Sequence, residues 1–155
     1  MALLDFYATP DRLPSSEAQR LGRILGLTAK EPINDIDLAE RISVGLRPSS
    51  VDTLSSILGR GDVVGCFIPE ASLRRARKER KALSKELSER LYEVGRVVDA
   101  VSRNFHGDKE AIDRFLKRPH RLLAGKSPLE MAQSSSAGAE AVINLLRRAE
   151  ASFAV

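Results

Sequence analysis

Tryptophan is absent, and aromatic residues make up only 5% of the chain. A core with so few rings must be filled by Leu, Ile, Val and Ala, which favours helix packing. Cys66 is the single cysteine. It excludes an internal disulfide and a cysteine-based zinc cluster, fits a reducing cytoplasm, and reads as a small buried hydrophobe. His106 and His120 are the only histidines. Both fall at turns flanking helices, where a helix dipole or solvent accounts for them without catalysis. No apolar run approaches the roughly 20 residues of a spanning helix. The start, Met1-Ala2-Leu3-Leu4-Asp5, lacks the basic and long apolar regions of a signal peptide. There is no phosphate-cradling glycine-rich loop, no Gly-x-Ser-x-Gly elbow and no His-Glu-x-x-His helix. Carboxylates have basic neighbours on the same helix face: Glu86 with Arg90, Glu89 with Arg90 or Arg96, Asp113 with Lys117. An enzyme is therefore not expected, and neither a cofactor nor a metal is implied.

What the chain does have is helical punctuation. Its 155 residues, 43% apolar and 30% charged, suit one globular domain or two small ones. Three segments follow: an arm over 1–32, a helix-turn-helix-like part over 33–83 and a helical domain over 84–155. In the arm, Ser16 caps a helix that runs to about Leu27, with Ala18, Leu21, Ile24 and Leu25 at helical spacing. The arm reads as a packing or dimerisation element. Ile36, Leu38, Ala39, Ile42 and Leu46 mark a weak amphipathic helix ending at Gly45. Pro48 opens the next helix, Val51, Leu54, Ile57 and Leu58 form its buried face, and Gly59 stops it. Residues 63–68 read as a brief helix or a strand. Pro69 then leads into a basic helix.

Leu83, Leu87, Leu91, Val94, Val98, Val101 and Phe105 recur at three- and four-residue steps, a strong signal for a helix from about Ser84 to Asn104. These leucines serve the core or a dimer seam. Gly107 ends that helix and Asp108 caps the next, which Pro119 ends. Ser127-Pro128-Leu129-Glu130 is a capping box with proline at the first helical position. A serine run at 134–136 separates it from a last helix, with Ala139, Val142, Leu145, Leu146, Ala149 and Phe153 on one stripe. No segment alternates long enough to demand a sheet, so the expected fold class is all-α.

Between Arg74 and Lys81 only Ala76 and Glu79 are neither Lys nor Arg. Such runs are ordinarily solvated helix faces. They also suit phosphate neutralisation by a helix in the major groove. Helices at about 48–58 and 62–68 before this one give a helix-turn-helix order, with Ser72, Arg74, Arg75, Arg77, Lys78 and Lys81 as the DNA-facing residues.

The order of the C-terminal motifs resembles the toxin-binding domain of the Xre/MbcA/ParS antitoxins. Phe105-His106-Gly107-Asp108 corresponds to the family's F-G-D link, and Leu116-Lys117-Arg118-Pro119 to L-x-x-P. Leu123-Ala124-Gly125-Lys126-Ser127-Pro128 corresponds to L-x-G-x-[ST]-P, and Gly138-Ala139-Glu140-Ala141-Val142 to x-G-A-x-x-V. Ser72-Leu73-Arg74-Arg75 is similar to the family's T-L-x-R-R opening of a DNA-facing helix, with Ser for Thr. The resemblance implies an antitoxin that blocks the active-site cleft of a RES-domain, NAD-consuming toxin encoded next to it. It also implies repression of the operon through operator DNA. A homodimer is expected from the long-helix stripe, no membrane partner from the lack of a long apolar run, and a cytoplasmic location from the single cysteine. The toxin-binding residues it points to are Arg147, Arg148, Glu150, Ser152, Phe153, Ala154 and Val155. Where the family closes its last helix with an acidic residue and a glycine, Glu150 is followed here by Ala151 and Ser152. A frayed end packed on its own domain through Phe153 is the competing reading. The competing function is a helix-turn-helix transcriptional regulator without a toxin partner.

Overall fold

The computed structural model describes residues 2–27 and 29–153. Among them the fold is all-α: α1 (Ala2–Asp5), α2 (Glu17–Ile24), α3 (Asp35–Val44), α4 (Pro48–Leu58), α5 (Glu70–Glu79), α6 (Lys85–Asn104), α7 (Lys109–Lys117), α8 (Pro128–Ser134) and α9 (Ser136–Phe153). The chain forms two compact units, Pro14–Gly95 and Met1–Leu13 with Arg96–Val155. The division falls inside α6.

In the Pro14–Gly95 unit, Ser16 starts α2 by accepting from the Gln19 backbone N–H. Arg20 is 4% exposed, and its Nη1 donates to the carbonyls of Pro14 and Ser15, both at 2.9 Å. A buried guanidinium thus holds the approach to α2, while Ala18, Leu21, Ile24 and Leu25 supply the apolar face. Asn34 and Asp37 cap α3 reciprocally. Leu38 and Ile42 face inward, but Ile36 is 70% exposed and Ala39 is exposed, so the buried stripe of α3 is narrower than its sequence suggests. Pro48 takes the first helical position of α4, and Val51, Leu54, Ile57 and Leu58 are buried.

Gly45 fixes how the chain crosses the start of α6. Its φ is +116°, and a Cβ there would lie 2.3 Å from the Leu83 carbonyl oxygen. Next to it, Leu46 N–H donates to Ser88 Oγ and Leu83 N–H to the Leu46 carbonyl, both at 2.8 Å.

Residues 62–68 are neither the helix nor the strand expected. A 3₁₀ turn at Arg60–Asp62 runs into a looped turn closed by one isolated bridge between Val64 and Ile68. The cause is Gly65, at φ +86°, which breaks any helical run. Val63, Phe67 and Ile68 still bury their side chains. Cys66 sits at the outside of this turn and is exposed, not buried as its apolar neighbours suggested.

In the other unit, Val97, Val98 and Val101 of α6, Ile112 and Leu116 of α7, Leu129 and Ala132 of α8, and Ala139, Val142, Ile143, Leu145 and Leu146 of α9 are all buried, and α8 packs against both α7 and α9. The Phe105 and Phe115 rings lie 5.7 Å apart. Leu4 and Tyr7 from the first residues of the chain are each 2% exposed. The α6–α7 link is tight: His106 and Gly107 both have positive φ, and a Cβ on Gly107 would come within 2.7 Å of the Leu4 carbonyl. Asp108 then accepts from the backbone of Glu110 and Ala111 to start α7. Among the described residues no helix is long and apolar enough to cross a membrane.

Candidate functional site

The last two helices are shaped by serines. Ser127 Oγ accepts from Glu130 N–H at 3.1 Å, and the Glu130 carboxylate accepts from Ser127 N–H, completing the box that begins α8. Ser135, in extended conformation, ends α8 and accepts at Oγ from Gly138 N–H at 2.9 Å, which begins α9. Gly138 permits the tight corner, since a Cβ there would lie 2.1 Å from the Met131 carbonyl oxygen. α9 therefore leaves α8 at a fixed angle with one face committed to the core.

The opposite face of α9 is polar. Glu140 accepts from Arg96 Nη2 at 3.1 Å and lies 3.8 Å from Arg147 Nη1. This Arg96–Glu140–Arg147 chain was not visible in the sequence, where Arg96 pointed instead to Glu89. Arg147 also reaches Asn144 Oδ1, and Arg148 Nε donates to the Asn144 carbonyl, each at 3.4 Å. Both arginines and Glu150 are exposed. Ala149 is exposed too, so it does not extend the buried stripe, whereas Ile143 does. Ser152 and Phe153 close the final turn of α9 as backbone, and their side chains lie outside the described residues, as do Ala154 and Val155.

On α5, Leu73 and Ala76 are buried. Arg74, Arg75 and Lys78 share the opposite, exposed face, with Ser72 half-buried at its edge. Several of these cations are engaged. Glu70 stands 3.8 Å from Arg60 and 3.9 Å from Arg74, Arg77 pairs with Asp52 of α4, and Lys81 lies 3.6 Å from Glu79. Arg60, Glu70, Leu73, Arg74 and Arg77 line a shallow groove. Arg60 belongs to the connector, so the count of basic residues along one helix could not include it. Residues 59–69 between α4 and α5 form a longer link than the roughly 3–4-residue turn of a helix-turn-helix pair.

His120 caps the Arg121–Leu123 turn by accepting at Nδ1 from Leu122 N–H, and His106 stands in the left-handed link after α6. Arg90 donates to Glu86 at 2.9 Å as expected, and Asp113 receives Lys109 at the same distance. Among the described residues no three His, Cys, Asp or Glu side chains converge as metal ligands.

α8 and α9 thus form a capped helical module with one polar helix face held outward. Residues 100–151 match the antitoxin Xre/MbcA/ParS C-terminal toxin-binding domain. Over that third of its length the chain is similar to the toxin-binding domain of an antitoxin, which supports an antitoxin role. No curated protein and no solved structure matches it.

Proposed function

We propose that this chain is an antitoxin that neutralises a RES-domain, NAD-consuming toxin by occupying its active-site cleft with the end of α9. The observation that carries this reading is the family match over residues 100–151, which ends on the helix that bears Arg147, Arg148 and Glu150. Arg147 and Arg148 are positioned to meet carboxylates or carbonyls at the cleft mouth, because guanidinium forks pair well with both. Ser152, Phe153, Ala154 and Val155 follow directly in the sequence and extend the proposed contact. Neutralisation by occupancy needs no cofactor and no catalysis by the antitoxin. The toxin-binding part is assigned to residues 84–155 and acts in the cytoplasm.

The same chain binds its operator through residues 33–83, with the arm of residues 1–32 serving packing or dimerisation. The exposed Arg74, Arg75 and Lys78 face of α5 supports this reading. Phosphate contact by clustered cations is the main source of affinity, with Arg77, Lys81 and Ser72 at the margins. A homodimer would present two such faces to two half-sites. That basic face also favours the second reading, a transcriptional regulator with no toxin partner.

Co-expression with the product of the adjacent reading frame separates the two. A stable complex together with restored host growth supports the antitoxin. A non-toxic neighbour that does not co-purify overturns the toxin assignment and leaves the regulator.

A further inference from the structure

Leu122 is 70% exposed, while Leu123 beside it in the same 3₁₀ turn is 4% exposed. One leucine anchors the loop and the other is held out into solvent. The loop that does this is closed by its own backbone. His120 N–H donates to the Lys126 carbonyl at 2.9 Å, Gly125 N–H to the His120 carbonyl at 3.1 Å, and Lys126 N–H to the Leu123 carbonyl at 3.1 Å. Pro119 fixes its first bond, and Ala124 and Gly125 take the two left-handed conformations it needs. Leu122 is therefore presented in a set geometry before any partner arrives, which lowers the ordering cost of binding.

The surroundings are of one charge. From Lys117 to Lys126 there is no Asp or Glu. Arg118, Arg121 and Lys126 are exposed and form no ion pair among the described residues. The Arg121–Leu123 turn packs against α9 within the same unit.

We infer that the loop over residues 118–126 is a second anchor for the toxin. Leu122 seats in an apolar socket, and Arg118, Arg121 and Lys126 meet carboxylates around the rim of that socket. This rests on the antitoxin reading above. A protein partner fits better than nucleic acid, because a phosphate backbone offers nothing to a projecting leucine. A partner with an acidic rim fits better than a second copy of this chain apposed through this loop, which would bring the same cations against one another. The loop and α9 belong to the same unit, so both are available to one partner.

The test measures affinity for the co-expressed product of the adjacent reading frame, using the full chain. L122A is expected to weaken the complex about ten-fold and L122D further, since a buried anchor dominates interface energy. R118E/R121E is expected to slow association and flatten its salt dependence. Val44 is 81% exposed in the Pro14–Gly95 unit, and V44A is expected to leave affinity unchanged. Unfolding temperatures should match wild type in all of these, because none of the altered side chains is buried. Unchanged toxin affinity in both L122A and L122D overturns the inference while leaving the antitoxin intact. Loss of duplex DNA binding by R118E/R121E with toxin binding unchanged reassigns the loop to nucleic acid. Failure of the wild-type chain to bind the neighbour overturns the toxin assignment itself, and the loop proposal with it.

Discussion

Tyr7 donates its hydroxyl to Asp99 Oδ1 at 2.6 Å, and both residues are buried, at 2% and 1% exposure. One comes from the first turns of the chain and the other from the middle of α6. A buried carboxylate is costly unless hydrogen-bonded, so this contact makes the opening residues part of the C-terminal core. Y7F removes the donor and leaves Asp99 with one partner fewer. It is expected to destabilise the protein by about 1–3 kcal/mol in denaturant unfolding. Unfolding indistinguishable from wild type would mean that the opening residues contribute little to that core.

The corner between α8 and α9 allows no side chain at Gly138. G138A would place a methyl 2.1 Å from the Met131 carbonyl and 2.6 Å from Ser134 Oγ, so the backbone must move. A loss of about 1–3 kcal/mol is expected, typical of forced overpacking. Because α9 is the helix proposed to carry the toxin contacts, toxin affinity should fall in parallel. Melting curves and toxin titrations on the same variant check both.

Glu70 lies 3.8 Å from Arg60 and 3.9 Å from Arg74, and under the proposed operator binding it competes with phosphate for both. E70Q is expected to raise affinity for duplex DNA a few-fold, in keeping with the small worth of exposed ion pairs. K78Q should lower affinity and reduce the slope of log K against log salt by about one. Titrations at three salt concentrations measure both, and slopes that do not move would remove α5 from the DNA contact.

Deleting residues 151–155 tests the plug. Loss of growth rescue is expected, with DNA binding unchanged. Full neutralisation by the truncated chain would place the inhibitory contacts on the α9 face and the 118–126 loop instead.

Helix starts were legible because their signals are local. Ser16, Asp108 and the Ser127/Glu130 box each cap where the sequence indicated, since a cap needs only its own next three residues. The segment over 62–68 was not legible, because its apolar side chains satisfy burial in a turn as well as in a helix, and Gly65 decides between them through backbone angle. Cys66 went wrong with it, since a turn points the residue after Gly65 outward. Of the candidate site, the cations of α5 and α9 could be read one helix at a time. Arg96 with Glu140, Arg60 with Glu70 and Tyr7 with Asp99 could not, because each joins separate elements. Leu122 escaped notice because a loop has no period against which an outward leucine stands out.

The unit formed by Met1–Leu13 and Arg96–Val155 draws on both ends of the chain, whereas Pro14–Gly95 is continuous. During synthesis the continuous unit has all its residues first, and the other must wait for α9 to leave the ribosome. The opening residues are thus held over, without their core, until α6 to α9 have been made. An interrupted chain would own the basic α5 face but lack the domain proposed to meet the toxin.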